Sequence, residues 1–473
     1  MSLLHPDRLF PPEPRTREIA RAIYEGIRDL PIFSPHGHCD PAWFAQDMAF
    51  SDPASLLVRP DHYVLRMLVS QGVRFEDLGV APLDGGPAET DMREVWRRFA
   101  AHYHLFRGTP TRLWMDHALE TLFGLEAPLG RETADAAYDR IAECLATPAF
   151  RPRALFERFG IEMLATTEGA LDPLDHHRAL RDSGWAGNVV TTYRPDEVTD
   201  PEHPLFRPGL DRLADLTGCT LDRWDGYLEA HRARRAAFRE AGAVATDHGV
   251  PDPRTADLGR TEAAALYDRV RAGTAAPEDA ALFRAQMLTE MARMSVEDGM
   301  VMQIHPGSAR NHNRRVHARF GLDKGFDIPR PVSFAEGLAP LLNAVGDAPG
   351  LRIVLFTLDE TTLGRELAPL AGAYPALRLG AAWWFFDAPD GIRRFREAVT
   401  ETAGFYNTVG FADDTRAFPS LPARHDMARR VDAAFLAARV ADHRLREAEA
   451  HEIARDLTVT LPRQTYRLAS EGA

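Results

Sequence analysis

Apolar residues along this chain fall into two alternating patterns. From Arg15 to Leu30 they recur with helical spacing through Ile19, Ala22, Ile23 and Ile27, which predicts an amphipathic helix that Pro31 ends. Beyond it come short, continuously apolar or β-branched runs separated by much longer stretches of helical spacing. The runs cover 31–38 (PIFSPHGH), 161–168 (IEMLATTE), 188–194 (NVVTTYR), 243–247 (AVATD), 300–305 (MVMQIH), 352–357 (RIVLFT), 377–384 (LRLGAAWW) and 408–414 (TVGFADD). Continuous rather than alternating hydrophobicity suits strands covered on both faces, and the helical stretches between them suit crossovers in a parallel sheet. The pattern therefore predicts an α/β fold, a distorted (β/α)8 TIM-type barrel with large helical insertions. A doubly wound open sheet gives the same alternation, but no GxGxxG fingerprint follows the first run.

The predicted organisation is an N-terminal helical segment over 1–30, then the barrel over 31–473, with helical insertions at about 40–158 and 206–298. The first insertion is too long for a strand-to-helix loop and carries Trp43, Phe44, Tyr63, Trp96, Phe99 and Trp114, enough for a core of its own.

Composition narrows the function. A net charge of −13 argues against a basic stripe that would track nucleic-acid phosphates but leaves room for a local basic pocket for a small anion. Cys39, Cys144 and Cys219 are too few and too scattered for a disulfide framework or a four-thiolate zinc site. No export signal and no apolar stretch of membrane-spanning length is present, so a cytoplasmic protein without membrane contact is expected. Lys324 is the only lysine, which leaves a Schiff-base mechanism a single candidate.

In a barrel, functional groups gather at the carboxyl ends of the strands. His36 and His38 end the first run two residues apart, so both imidazoles leave one face of an extended segment toward a single metal ion. With 18 histidines an H-x-H arises by chance about once, and His102/His104 is a second pair, but it lies in a helical aromatic segment. Asp414, in FADDTRAF, is the expected third ligand, with Asp413 one residue off and pointing away. The cofactor expectation is one divalent metal ion, with zinc the expected identity.

Arg194, Arg310 and Arg416 lie just past run ends, where guanidinium forks suit an anionic substrate carboxylate. His62-Tyr63, inside the first insertion, reads equally as a half-buried pair at a helix start or as a proton-transfer pair reaching over the mouth. Asp247 and His305 close the fourth and fifth runs and suit sugar hydroxyls or protons. Trp383 and Trp384 read as core, or one of them as a platform for a sugar.

Six ordered motifs, HGHCDP, DHYVLRMLVSQGV, VTTYRPD, QIHPGSARNHN, WWFFD and DDTRAFPS, resemble the uronate isomerase family of the amidohydrolase superfamily over essentially the whole chain. The resemblance implies interconversion of D-glucuronate with D-fructuronate and of D-galacturonate with D-tagaturonate. It implies that His36, His38 and Asp414 are metal-proximal and that His62 and Tyr63 are an active-site pair. It also implies that Arg194, Asp247, His305, Trp383 or Trp384, and Arg416 line the substrate pocket. The chain departs from the family pattern at Thr166-Thr167-Glu168-Gly169-Ala170, where a TTDDP-like segment is expected, and at the TLDET that ends the sixth run.

The expected chemistry is proton transfer through a cis-enediolate. Arg416 and Arg194 are assigned the carboxylate clamp, Asp414 or Tyr63 the base, and His305 assistance in oxygen polarisation. The alternative is metal-dependent hydrolysis of the amidohydrolase type, but Lys324 lies beyond the fifth run and cannot supply a carboxylated-lysine bridge at the fourth. The partner expectations are a small-molecule uronate and further copies of the chain in a homo-oligomer.

Overall fold

The computed structural model describes residues 3–468. Its strands are β1 (Ile32–Ser34), β2 (Ile161–Ala165), β3 (Glu168–Gly169), β4 (Val189–Val190), β5 (Tyr193–Arg194), β6 (Ala245–His248), β7 (Val301–Ile304), β8 (Ser308–Ala309), β9 (Ile328–Pro329), β10 (Ile353–Leu355) and β11 (Leu377–Leu379). One sheet has the order β1-β2-β4 and a second the order β11-β10-β7-β6-β5-β3, all parallel, while β8 and β9 form a small antiparallel pair. Backbone bonds from Thr166 N–H to Val190 O and from Glu168 N–H to Thr192 O carry the β2·β4 pairing on into β3·β5. The two parallel sheets thus run into each other.

The first seven apolar runs each contain strand. The eighth does not: 408–414 makes one parallel bridge, Thr408 to Leu379, and then continues irregularly. Its backbone still reaches both neighbours, with Val409 N–H bonded to Leu379 O and His38 N–H to Thr415 O. Gly410 at φ 85° and Asp414 at φ 47° turn the backbone out of the extended region there, which is why the apolar spacing does not become a ladder. The amino-terminal helix spans Pro14–Ile27, shorter than its apolar spacing, and is capped by the Glu13 carboxylate on the N–H groups of Arg15 and Thr16.

Side chains of β1, β2, β7 and β10 divide between an inner cluster and a core on the helix side. Phe33, Met163, Val190, Ala245, Val301, Val354, Ala381 and Val409 join one buried cluster that draws from every one of the eight runs. Their neighbours Met302, Ile304, Ile353, Leu355, Leu377 and Leu379 pack the other way, among the helices. This two-sided burial is the reason the runs are apolar without alternation. Tyr466 closes the inner cluster from the carboxyl-terminal end, donating its hydroxyl to Gln303 Oε1 at 2.9 Å.

Between β1 and β2 the chain forms short helices, including Met92–Ala101 and Pro110–His117, around Trp96, Phe99 and Tyr103. Among them is His62–Ser70, whose cap Asp61 accepts from Tyr63 N–H at 2.8 Å and so fixes His62 and Tyr63 in the first turn. The 206–298 span holds four long helices, with β6 lying between the second and third. Among the described residues no helix is long and apolar enough to cross a membrane.

Glu168 ties β3 to the chain between β4 and β5. Its carboxylate accepts from Thr191 Oγ1 and, at 2.8 Å, from Thr166 Oγ1, which also meets His177 Nε2 at 2.9 Å. Burial pushes the Glu168 carboxyl up to about 7, against the two hydroxyl donors that favour its charge. The folded state therefore holds a proton that the unfolded chain releases near pH 4.5, so this contribution to stability is lost as pH rises toward and through 7. Glu168→Gln, which stays neutral, is expected to raise the thermal unfolding midpoint at pH 8, by up to about 3 kcal/mol in stability, with little change at pH 5. Equal midpoints for the two proteins at pH 8 would contradict this.

Candidate active site and metal centre

The candidate residues converge where the carboxyl ends of the parallel strands meet. His36 and His38 follow β1, and Gly37 between them is held at both faces: its carbonyl accepts from Thr167 Oγ1 at 3.0 Å, and a Cβ there would lie 3.4 Å from Ala165 O. Asp414 faces the pair from the eighth run, its Oδ1 lying 3.2 Å from His38 Nε2 and 3.6 Å from His36 Nε2. Its other oxygen accepts from the Trp383 indole at 3.0 Å. Burial alone would raise the Asp414 carboxyl, but the bond to His38 and the nearby His36 and Arg416 hold it well below the usual carboxylate range. Asp413 is turned away, as expected, onto His425 at 3.0 Å.

A second group shares His36. Its ring stacks on that of His305 at 4.4 Å, and His305 Nδ1 lies 2.6 Å from Asp247 Oδ1. Burial disfavours the Asp247 charge, yet Arg194 and His305 together pull its carboxyl well below the ordinary value. An ionised Asp247 requires the proton on His305 Nδ1, which leaves Nε2 with a lone pair. That Nε2 is buried without a hydrogen-bond partner, as is His36 Nδ1.

Two sets of donor atoms are therefore close enough to hold a cation: His36, His38 and Asp414, and His36, Asp247 and His305, each within 4.8 Å. Ligands about 2.05 Å from a tetrahedral zinc stand about 3.3 Å apart, and the 3.2 and 3.6 Å carboxylate-to-imidazole separations bracket that spacing. Burial holds His38 below the usual imidazole range and His305 down at about 4, so both stay neutral, as ligation demands. The second set was not legible as a ligand group from sequence. Its signal was the position of Asp247 and His305 at adjacent run ends, in register as Asp247 opposite Gln303 on β6·β7.

Of the predicted substrate contacts, Arg194 is closely engaged: Nε donates to Asp196 Oδ2 at 2.8 Å, and Nη1 lies 3.3 Å from Asp247 Oδ2. Burial opposes its charge, but Asp247 and Asp196 raise its pKa beyond the ordinary guanidinium value. Arg416 lies 3.8 Å from Asp323, which sits on the loop between β8 and β9. Arg310 lies at the rim, bonded to Asp327 Oδ2 at 2.9 Å and 5.4 Å from the Trp384 ring centroid. Asp196, Asp323 and Asp327 are partners that sequence spacing did not single out.

Both tryptophans touch candidate residues. Trp383 holds Asp414, and the Trp384 indole donates to His62 Nε2 at 2.8 Å, which places the His62 proton on Nδ1. Burial pushes His62 down to about 3, so it stays neutral. Tyr63 stacks on His62 at 4.8 Å, donates to Asp387 Oδ1 at 3.1 Å and accepts from Phe385 N–H at 2.8 Å. The first insertion therefore reaches the mouth. His102 and His104 do not: His102 Nδ1 meets Arg98 O in their own segment, and neither falls in a potential ligand group among the described residues.

Comparison with known proteins identifies the family. The sequence model of the family described as glucuronate isomerase matches residues 15–465. The uronate isomerase of Mesorhizobium japonicum is 62% identical over 468 residues, covering 99% of this chain and 100% of the relative. The crystal structure of glucuronate isomerase from Caulobacter crescentus superposes with TM-score 0.97 at 56% identity, covering 99% of this chain and 98% of that one. The uronate isomerase structure from Thermotoga maritima gives TM-score 0.91 at 26% identity, over 98% and 99% of the two chains. On the strength of a match that spans nearly its whole length, the chain belongs to the glucuronate isomerase family, a family of isomerases.

Proposed function

We propose that this isomerase interconverts D-glucuronate with D-fructuronate, and D-galacturonate with D-tagaturonate, by proton transfer through a cis-enediolate. The observation that carries the reading is the meeting of an ionised carboxylate, Asp414, with His36 and His38 on one side and a rim of arginines on the other. A parallel barrel of eight segments, closed by the 408–415 backbone between β11 and β1, is the architecture that best accounts for one inner cluster drawing on all eight runs. The amino-terminal helix, the insertion at about 40–158 and the long helices on either side of β6 within 206–298 belong outside it.

His36, His38 and Asp414 would hold one divalent ion, taken here as zinc from the nitrogen and carboxylate donors, with His305 and Asp247 beside it. Bound there, the ion supplies a Lewis acid that polarises a sugar oxygen. Arg416 receives the substrate carboxylate in a bidentate fork, displacing the single long contact of Asp323, and Arg194 supports the same end. That anchoring sets carbons 1 and 2 of the open-chain sugar against Asp414 and the Tyr63 phenol. Asp414 takes the proton from carbon 2, charge develops on the carbonyl oxygen at carbon 1, and as a proton is returned to carbon 1 the carbon-2 hydroxyl proton passes to that oxygen by way of the Tyr63 phenol, leaving the carbonyl at carbon 2. His305 offers its free Nε2 to a sugar hydroxyl. Trp383 keeps Asp414 oriented while the proton moves.

Incubating the metal-analysed protein with D-glucuronate in deuterium oxide is expected to give the ketouronate by proton NMR, with solvent deuterium entering at the exchanging carbon. Full retention of protium would count against a solvent-exchanging base, and no conversion of glucuronate or galacturonate would remove the assignment. The His36→Ala/His38→Ala double variant is expected to lose stoichiometric metal, measured by elemental analysis, and to fall in kcat by on the order of a hundredfold or more. Full metal content with full turnover would dismiss these residues as ligands.

A further inference from the structure

Asp387 and Arg424 lie behind Tyr63, outside the residues that the substrate reading uses. Asp387 is 1% exposed and Arg424 is 3% exposed. The carboxylate is shared: Oδ1 accepts from the Tyr63 hydroxyl at 3.1 Å, and Oδ2 accepts from Arg424 Nη1 at 3.0 Å. The same Arg424 nitrogen donates to Asp413 O at 3.1 Å, the carbonyl immediately before Asp414, and the guanidinium lies 3.6 Å from the Trp114 ring centroid. The contacts close a ring. Asp414 holds Trp383, Trp384 holds His62, His62 stacks on Tyr63, Tyr63 bonds to Asp387, and Arg424 returns to the Asp413-Asp414 backbone.

We infer that Asp387, anchored by Arg424, is a positioning residue for Tyr63: it fixes where the phenolic proton lies and holds the hydroxyl at a set distance from Asp414. This rests on the assignment of Tyr63 to the isomerase site. Three features support it. The Tyr63 hydroxyl is bound from two sides, by Phe385 N–H and by Asp387, so its rotation about the C–O bond is decided by the carboxylate rather than by solvent. Trp384 at φ 26° and Phe385 at φ 51° are consecutive non-glycine residues in the left-handed region, and the bond from Phe385 N–H to Tyr63 stabilises that turn. Burial and the neighbouring Asp387 charge push the phenol well above its ordinary range, so it enters the reaction with its proton in place. Replacing the buried pair by apolar residues would often stabilise a protein, so the pair's retention beside a reacting group is better explained by orientation than by stability.

Asp387→Asn keeps shape and an acceptor oxygen but removes the charge. It is expected to lower kcat for glucuronate by about tenfold to a hundredfold, within the span of a positioned proton-transfer group, with KM changed by less than about threefold. Tyr63→Phe keeps the ring packing and is expected to show a loss at least as large. Because both changes break one device, the double variant should be no slower than about the slower single variant. Metal content and thermal midpoint are measured for each variant, so that a misfolded Asp387→Asn protein is recognised and Arg424→Lys is tested in its place for the same kcat-selective loss. An active wild type beside a folded Asp387→Asn variant of unchanged kcat overturns the positioning role, as do losses that multiply in the double variant. A wild type inert on both uronates overturns the isomerase assignment, and this inference with it.

Discussion

The site is organised by one constraint, the need to keep Asp414 charged in a place where its side chain is only 15% exposed. An isolated carboxylate there would take up a proton instead of paying several kcal/mol for desolvation. It stays ionised because His38, His36 and the Trp383 indole approach it from different segments, with Arg416 adding positive charge farther off. Each approach fixes a separate piece of backbone: the end of β1, the turn after β11 and the irregular 408–414 stretch. The left-handed φ of 47° at Asp414 costs on the order of 1–3 kcal/mol and persists because those contacts over-determine it.

Charge balance follows from the same constraint. The chain is acidic, yet the mouth is rich in arginine, and each guanidinium there is matched to a carboxylate of different commitment. Arg194 and Arg424 are locked to buried partners, Asp247 and Asp387, at 3.3 and 3.0 Å. Arg310 is bonded to the buried Asp327 at 2.9 Å although it is 41% exposed at the rim, whereas Arg416 meets Asp323 only at 3.8 Å. The tightly paired arginines shape the pocket, whereas Arg416, loosely paired, retains the capacity to bind an incoming anion. The gradient runs from the interior outward, so an acidic protein presents its available positive charge where a sugar acid would arrive.

Much of this was legible in the sequence, for a physical reason. Strands buried on both faces must be apolar without a break, so seven of the eight runs announced themselves, and residues at their carboxyl ends are forced toward one mouth. That rule alone pointed to His36, His38, Asp247, His305 and Arg194, which lie together in the structure. The eighth run failed as a strand because Gly410 and Asp414 bend it, a departure that apolar spacing does not encode. Asp387 and Arg424 escaped notice because their importance lies in a contact across 37 positions of chain and in complete burial, and a lone carboxylate after an aromatic run carries no local mark of either. The choice between the two roles of His62 and Tyr63 was likewise undecidable from spacing. Asp61 caps their helix in either case, and only the approach of Trp384 and Asp387 brings the pair to the mouth.

The first insertion therefore has a function beyond adding a second core. A strand-end rim can supply histidines, aspartates and arginines, but each points inward from a wall. The Tyr63 phenol reaches this rim from outside the wall, on an element stiff enough to hold it. The helix His62–Ser70 meets that need because its first turn is fixed by Asp61, its inner face is buried through Val64, Leu65 and Leu68, and its two leading side chains are hydrogen-bonded to the turn after β11. Motion of this helix would move Tyr63, unlatch His62 from Trp384 and loosen the turn that presents Trp383 to Asp414. Packing of the insertion and orientation of Asp414 are thus coupled through two tryptophans, which explains why this pair sits at the strand-end rim instead of deeper in the core.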